Sequence, residues 1–268
     1  MRGKVGPPRS QGPRASGPPA RVANVLRDML DAGGEAMHTQ RTIGIILLGC
    51  VLAGFAVLAG LVLWLGPTWG AVAGGAAAAI VAVVYVTVIG PWQRHWGARP
   101  EVARASMPGD DLLRADAPAT TRAIEIDAPP ERVFPWLRQI GFGRGGWYSY
   151  DWIDNDGDPS VERIEPDLWL HVGDRIEMMP GMGPVVVDLE LNHHIVSAEP
   201  TGSWCLLVVP TGDGGSRLIS RWKQDWPRTP ASAIWVAMVD PGAFIMERKM
   251  LLRIRELAER VPAASAPG

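Results

Sequence analysis

Residues 121–152, TRAIEIDAPPERVFPWLRQIGFGRGGWYSYDW, contain the change of period on which the fold reading turns. Ala123, Ile124, Glu125 and Ile126 alternate as a strand does, whereas beyond Pro129 and Pro130 the apolar residues Val133, Leu137 and Ile140 recur at helical spacing. Asp127 or Ala128 closes the strand, and a proline fills a first helical position where its missing N–H costs nothing. The helix is expected to stop at Gly141, where glycines release the chain into a run dense in Trp and Tyr.

Downstream, residues 172–178, 184–191, 194–198, 203–209 and 217–226 have strand character, and TGDGGS between the last two reads as a hairpin turn. In the last run Leu218, Ser220, Trp222, Gln224 and Trp226 share one face, with Arg217, Ile219, Arg221, Lys223 and Asp225 on the other. One side is mainly polar, which predicts an antiparallel sheet covered on one face only. A closing helix is expected from Asp240-Pro241, with Met246, Met250, Ile254, Leu257 and Val261 on one face and Leu251 and Ala258 alongside. Strands followed by a terminal helix, without βαβ alternation, give an α+β fold class.

Four runs, IDAPPERVFPWL, GGWYSYDW, RIEPDLWLHVGDRIEMMPG and DPGAFIMERKMLLRIRELAE, resemble in wording and order the SRPBCC (START-like, polyketide cyclase/dehydrase-like) domains, in particular actinobacterial members carrying a membrane anchor. The resemblance covers residues 119–263 and implies a helix-grip fold, a curved antiparallel sheet around a long C-terminal helix with an apolar cavity between them. It assigns no reaction.

The first half of the chain is different in kind. Residues 1–41 form a basic tail whose first part, rich in Gly, Pro, Arg and Ser, lacks the apolar side chains needed to offset ordering, so it is expected to be disordered. A basic arm on anionic lipid through Arg2, Lys4, Arg9 and Arg14 is the functional alternative, and Val22, Val25, Leu26 and Met29 fit a short amphipathic helix. Residues 42–65 and 71–90 are two uncharged runs, each about twenty residues or more, joined by GPTWG. They read as a transmembrane helical hairpin, with Trp64 and Trp69 at one interface and Trp92 and Trp96 at the other. A secretory signal is disfavoured by the length of the apolar run and of the extension before it.

Arginines flank the hairpin (Arg27, Arg41, Arg94, Arg99, Arg104) and none lies in its loop, which predicts a plasma-membrane protein with two spans and both ends cytoplasmic. Small residues at helical spacing (Gly49 with Ala53, Ala56 with Gly60, Gly70 with Gly74) suit helix packing within the hairpin or a homodimer. Residues 91–118 read as a linker and 264–268 as a tail. A net charge of −2 gives no field for nucleic acid, and two distant cysteines, Cys50 and Cys205, offer no disulfide framework.

No cofactor and no metal is expected. Gly141 to Gly146 spells G-x-G-x-x-G, but the order helix, glycines, aromatic run is wrong for a dinucleotide site. Asp154, Asp156 and Gly157 resemble part of a calcium loop with both end ligands missing, and read as a solvated acidic turn. His193 and His194, as strand neighbours, should point to opposite faces and not share an ion, and His171 has no spaced partner.

The candidate ligand pocket is the aromatic and methionine set Trp147, Tyr148, Tyr150, Trp152, Met178, Met179, Met182, Met246 and Met250, with Glu247 as the candidate catalytic acid or polar anchor. For each residue the alternative is ordinary core, and for Glu247 an ion pair with Arg144, Arg163 or Arg248. The partner expected is a hydrophobic small molecule or lipid. The rivals are a cyclase, aromatase or dehydratase using Glu247, and an interaction module whose pocket is filled.

Overall fold

In the computed structural model, residues 38–227 and 229–260 are described. The basic tail up to residue 37, Val22, Val25, Leu26 and Met29 within it, Val261 and the C-terminal tail lie outside them. The opening strand and helix are present: β1 (Ala119–Ile126) leads through Pro129 as N-cap into α5 (Pro130–Arg138), which buries Val133, Phe134 and Leu137. The remaining strands are β2 (Val185–Glu190), β3 (His194–Glu199), β4 (Gly202–Pro210) and β5 (Ser216–Gln224), and the sheet is antiparallel in the order β1-β5-β4-β3-β2. Residues 172–178 are not a regular strand; they carry one isolated bridge, Arg175 to Val185, with backbone hydrogen bonds to Val186, Pro184 and Met182 on either side of it.

Period-two alternation sorts side chains onto two faces. Arg122, Ile124, Ile126, Ile195, Trp204, Leu206, Val208, Leu218 and Ser220 lie on the inner face, against α5 and the long helix α7 (Pro230–Glu259); between these two in the chain α6 (Asp151–Asp154) is a single turn. Met250, Leu251, Ile254, Leu257 and Ala258 of α7 are all buried there, as their spacing predicts. The helix begins ten residues before the expected Asp240-Pro241. Thr229 caps it, its hydroxyl accepting from the Ser232 N–H at 3.1 Å, and Pro230 takes the first turn, so Pro241 lies inside.

The sheet is not one-sided. Its outer face carries a second apolar cluster of Met107, Ala123, Val196, Cys205, Leu207 and Ile219, with Ala98 and Val102 packed on it. Of residues 91–118, expected as a linker, residues 98–110, with α4 (Pro100–Arg104), are laid across that face. Arg221 holds them: its guanidinium donates to the carbonyls of Val102, Ala103 and Ala105, to Asp110 and to Thr121, while Lys223 Nζ donates to the Asp110 carbonyl. Both cations are buried although their sequence pattern suggested water.

Ahead of this unit stand α1 (His38–Leu65) and α2 (Pro67–Val84), separated by Gly66 alone, whose φ of 82° makes the reversal. A Cβ at Gly70 would come within 2.5 Å of the Val62 backbone and one at Gly74 within 2.6 Å of Leu58, so these glycines set the approach of the two helices. α2 runs on through a π-helical turn (Tyr85–Ile89) into α3 (Gly90–Arg94). Together Pro67–Arg94 make 28 residues, long and apolar enough to cross a membrane; the described apolar part of α1, Leu52–Leu65, is shorter. Leu63, Trp64, Trp69, Val81 and Val86 are among many large apolar side chains left exposed on this pair.

Candidate functional site

The inner face of β1 should read Thr, Arg, Ile, Ile, which places one cation among aliphatic residues. That cation, Arg122, is only 2 % exposed. Its Nε donates to the Gln93 carbonyl at 2.9 Å, Nη1 is ion-paired with Glu247 of α7, and Nη2 faces Asp240 Oδ1 at 3.9 Å without a hydrogen bond. The second Glu247 oxygen, Oε1, is also buried without a partner. Phe244 lies under the guanidinium at 5.2 Å, adding a cation–π contact. Glu247 is therefore not a free pocket acid, and its partner is none of the three arginines expected from sequence.

Cross-strand register extends this pair into a band. Arg122 is the partner of Ser220, whose hydroxyl accepts from Trp204 Nε1 at 2.8 Å. Trp204 is stacked on Trp222 at 4.7 Å and on Trp147 at 5.9 Å. Trp147 Nε1 is buried with no partner. Three indoles, one buried ion pair and three unsatisfied polar atoms thus follow one another between sheet and α7. Most buried polar groups in folded proteins are hydrogen-bonded, so a run of unmet ones is a chemical feature in its own right.

The band is joined to the apolar stem. Gln93 Nε2 donates to Asp240 Oδ2 at 2.7 Å and to the Tyr85 hydroxyl at 2.9 Å, and Arg94 lies 3.6 Å from the same carboxylate. Trp92 and Trp96 pack edge-on against Phe244 at 5.2 and 6.3 Å, and Arg248 covers Trp96. The last turns of the stem, β1 and the middle of α7 thus share one polar cluster.

The other sequence candidates are dispersed. Tyr148 is buried, held at a φ of 54° with its hydroxyl accepting from Gln139 at 2.6 Å, and burial pushes its pKa up to about 12. Gln139, itself fully buried, also ties down the Arg163 carbonyl, the Glu165 N–H and the glycine turn through Gly145, so Gly141 to Gly146 is a structural reversal. Trp147, Tyr148 and Met250 belong to the inner core; Met246 and Met179 are half-buried, Tyr150 lies beside Lys249, and Trp152, Met178 and Met182 are exposed.

Asp154 departs from the solvated turn expected of it. Its carboxyl is buried, neither oxygen meets a hydrogen-bond partner, and burial pushes its pKa up to about 6, the nearby Ser149 hydroxyl offsetting part of the shift. His193 and His194 do not diverge either. His193 precedes β3 in a turn, and the two Nδ1 atoms are 2.9 Å apart. A surface hollow of about 360 Å³ at the far end of β1 has polar walls, including Arg99, Glu125, Asp127 and Arg217. Arg122, Asp240 and Gln93 were missed, although an arginine on an isoleucine face was a usable signal.

No family model matches this chain, and no curated protein matches it. It is similar to several solved structures. One is a protein from Mesorhizobium loti, at 16 % identity over 54 % of this chain and 99 % of that one, TM-score 0.33. Another is a polyketide-cyclase-like protein from Corynebacterium glutamicum, at 16 % over 55 % and 94 %, TM-score 0.29. A third is an AHSA1-like protein from Rhizobium etli, at 19 % over 56 % and 88 %, TM-score 0.32.

Proposed function

We propose that this chain is a membrane-anchored START-like (SRPBCC) protein that binds a hydrophobic small molecule or lipid between its sheet and its terminal helix. The observation that carries the reading is the incomplete Arg122–Glu247 pair at the end of the Trp147–Trp204–Trp222 band. Aromatic walls with a few buried polar groups are the usual make-up of a small-molecule site. A ligand with an apolar body and a polar end would satisfy Arg122 Nη2 and Glu247 Oε1, which the protein leaves unmet.

The apolar stem supports the membrane part of the reading. With α1 and α2 in the plasma membrane, both chain ends cytoplasmic, the polar cluster at Gln93 and Asp240 would hold the band against the inner leaflet, where apolar ligands concentrate. A homodimer through the open small-residue faces at Gly49 and Gly60 belongs to the same reading.

A photo-activatable fatty acid in vesicles carrying the full-length chain tests it. Crosslinks on Trp204, Trp222 or Met250 are expected. Crosslinks confined to Trp64, Trp69 and Trp92 would mean that the helices touch lipid and the band does not.

A further inference from the structure

The β2–β3 hairpin brings three ligand types together at one point. Glu190 ends β2 and is the register partner of His194, which begins β3, so both side chains share a face. Asn192, at a φ of 60°, reverses the chain between them and turns His193 toward the same place. His193 Nδ1 is then 2.9 Å from His194 Nδ1 and 3.2 Å from Glu190 Oε2, and the third side, His194 Nδ1 to Glu190 Oε2, is 3.7 Å.

These separations suit a single ion. Zinc holds imidazole nitrogen and carboxylate oxygen at about 2.0–2.2 Å, so two ligands of one ion lie about 2.9 Å apart at a right angle and about 3.4 Å apart at the tetrahedral angle. The three sides of the triangle fall around those values.

The orienting group is also present. His194 Nε2 lies 2.8 Å from Asp188 Oδ2, so its Nε2–H is donated to the carboxylate and the lone pair stays on Nδ1, toward His193 and Glu190. A carboxylate behind a histidine ligand is the arrangement that fixes ring and tautomer in metal sites. A dication between the three atoms would be neutralised by Glu190 and Asp188.

We propose that this hairpin binds one divalent transition-metal ion of the zinc class through His193 Nδ1, His194 Nδ1 and the Glu190 carboxylate, with water completing the shell. The N₂O donor set favours Zn²⁺, Ni²⁺ or Cu²⁺ over the hard cations Mg²⁺ and Ca²⁺. The proposal stands apart from the sheet-and-helix band, since His194 lies on the other face of the sheet.

The test uses the tag-free, full-length chain in detergent, stripped with chelator and titrated with Co²⁺, then Zn²⁺. One visible d–d band saturating at one Co²⁺ per chain and displaced by Zn²⁺ is expected. The Glu190 side chain at the end of β2 and the His193 side chain in the turn are both largely exposed, so Glu190→Gln and His193→Gln keep the fold, which circular dichroism checks. Each should weaken Co²⁺ binding at least 10-fold, Asp188→Asn about 10–100-fold, and His171→Gln not at all. Absence of the band, or binding that survives His193→Gln undiminished, overturns the proposal.

Discussion

Arg122 and Arg221 sit on adjacent strands, are buried to 2 % and 4 % exposure, and are handled in opposite ways. On the outer face every nitrogen of Arg221 has an acceptor, Thr121 of β1 for Nε and the segment 102–110 laid over the sheet for the other two. On the inner face Arg122 keeps one amine unmet, beside a carboxylate with one unmet oxygen. Burying a charge is costly in either case, and it is offset only where all its hydrogen bonds are made. Arg221 is therefore a finished clamp. Arg122 with Glu247 is a pair that something else can complete.

The largest effect should come from breaking the finished side. Arg221→Met strands Asp110 and three carbonyls, and is expected to cost about 3–5 kcal/mol in denaturant unfolding while exposing residues 100–117 to protease. A loss below about 1 kcal/mol would remove the distinction between the two arginines. On the unfinished side, Arg122→Met alone should cost about 3 kcal/mol by leaving Glu247 buried and unpaired, and adding Glu247→Leu should return most of it. A double-mutant cycle measures that recovery; additive losses would mean the pair is a structural clamp too.

Asp154 offers a smaller contrast, a buried carboxyl with no basic partner and no hydrogen bond. The unfolded carboxyl ionises near its ordinary 3.8 and the native one near about 6, so below the first value both states hold the proton and nothing is lost. Through the interval the unfolded state gains by ionising, and above about pH 6 the native state bears the whole penalty. Asp154→Asn should accordingly stabilise the chain at pH 7 by roughly 1–2 kcal/mol, allowing for partial solvent screening, and by nothing below about pH 4. Thermal melts at the two pH values check the sign.

Cys205 gives the smallest effect. Burial beneath the clamped segment pushes its thiol up to about 12, so a maleimide should label it in the Arg221→Met variant and leave it untouched in the native chain.

How far these features could be read from sequence follows the range of the interactions behind them. β1 into α5 was legible because alternation, two prolines and helical spacing are local signals, and the buried stripe of α7 was legible for the same reason. The start of α7 was misplaced because Asp240-Pro241 has the form of a cap and first turn. In the folded chain Asp240 is engaged by Gln93, and Thr229 does the capping. The second cover of the sheet was missed because Arg221 and Lys223 on a strand suggest water; what buries them is a backbone more than a hundred residues away. The pairing of Glu247 with Arg122 spans 125 residues and leaves no local trace. Strand alternation separated His193 from His194 on paper, whereas a three-residue turn brings their rings together.

Native mass spectrometry of the full-length chain, carried out on wild type and on Arg122→Met/Glu247→Leu side by side, tests the central claim most directly. The account predicts one apolar adduct per wild-type chain, lost from the double variant while its melting temperature stays close to that of the wild type. A wild-type chain that flies bare, or an adduct retained equally by both proteins, would contradict it.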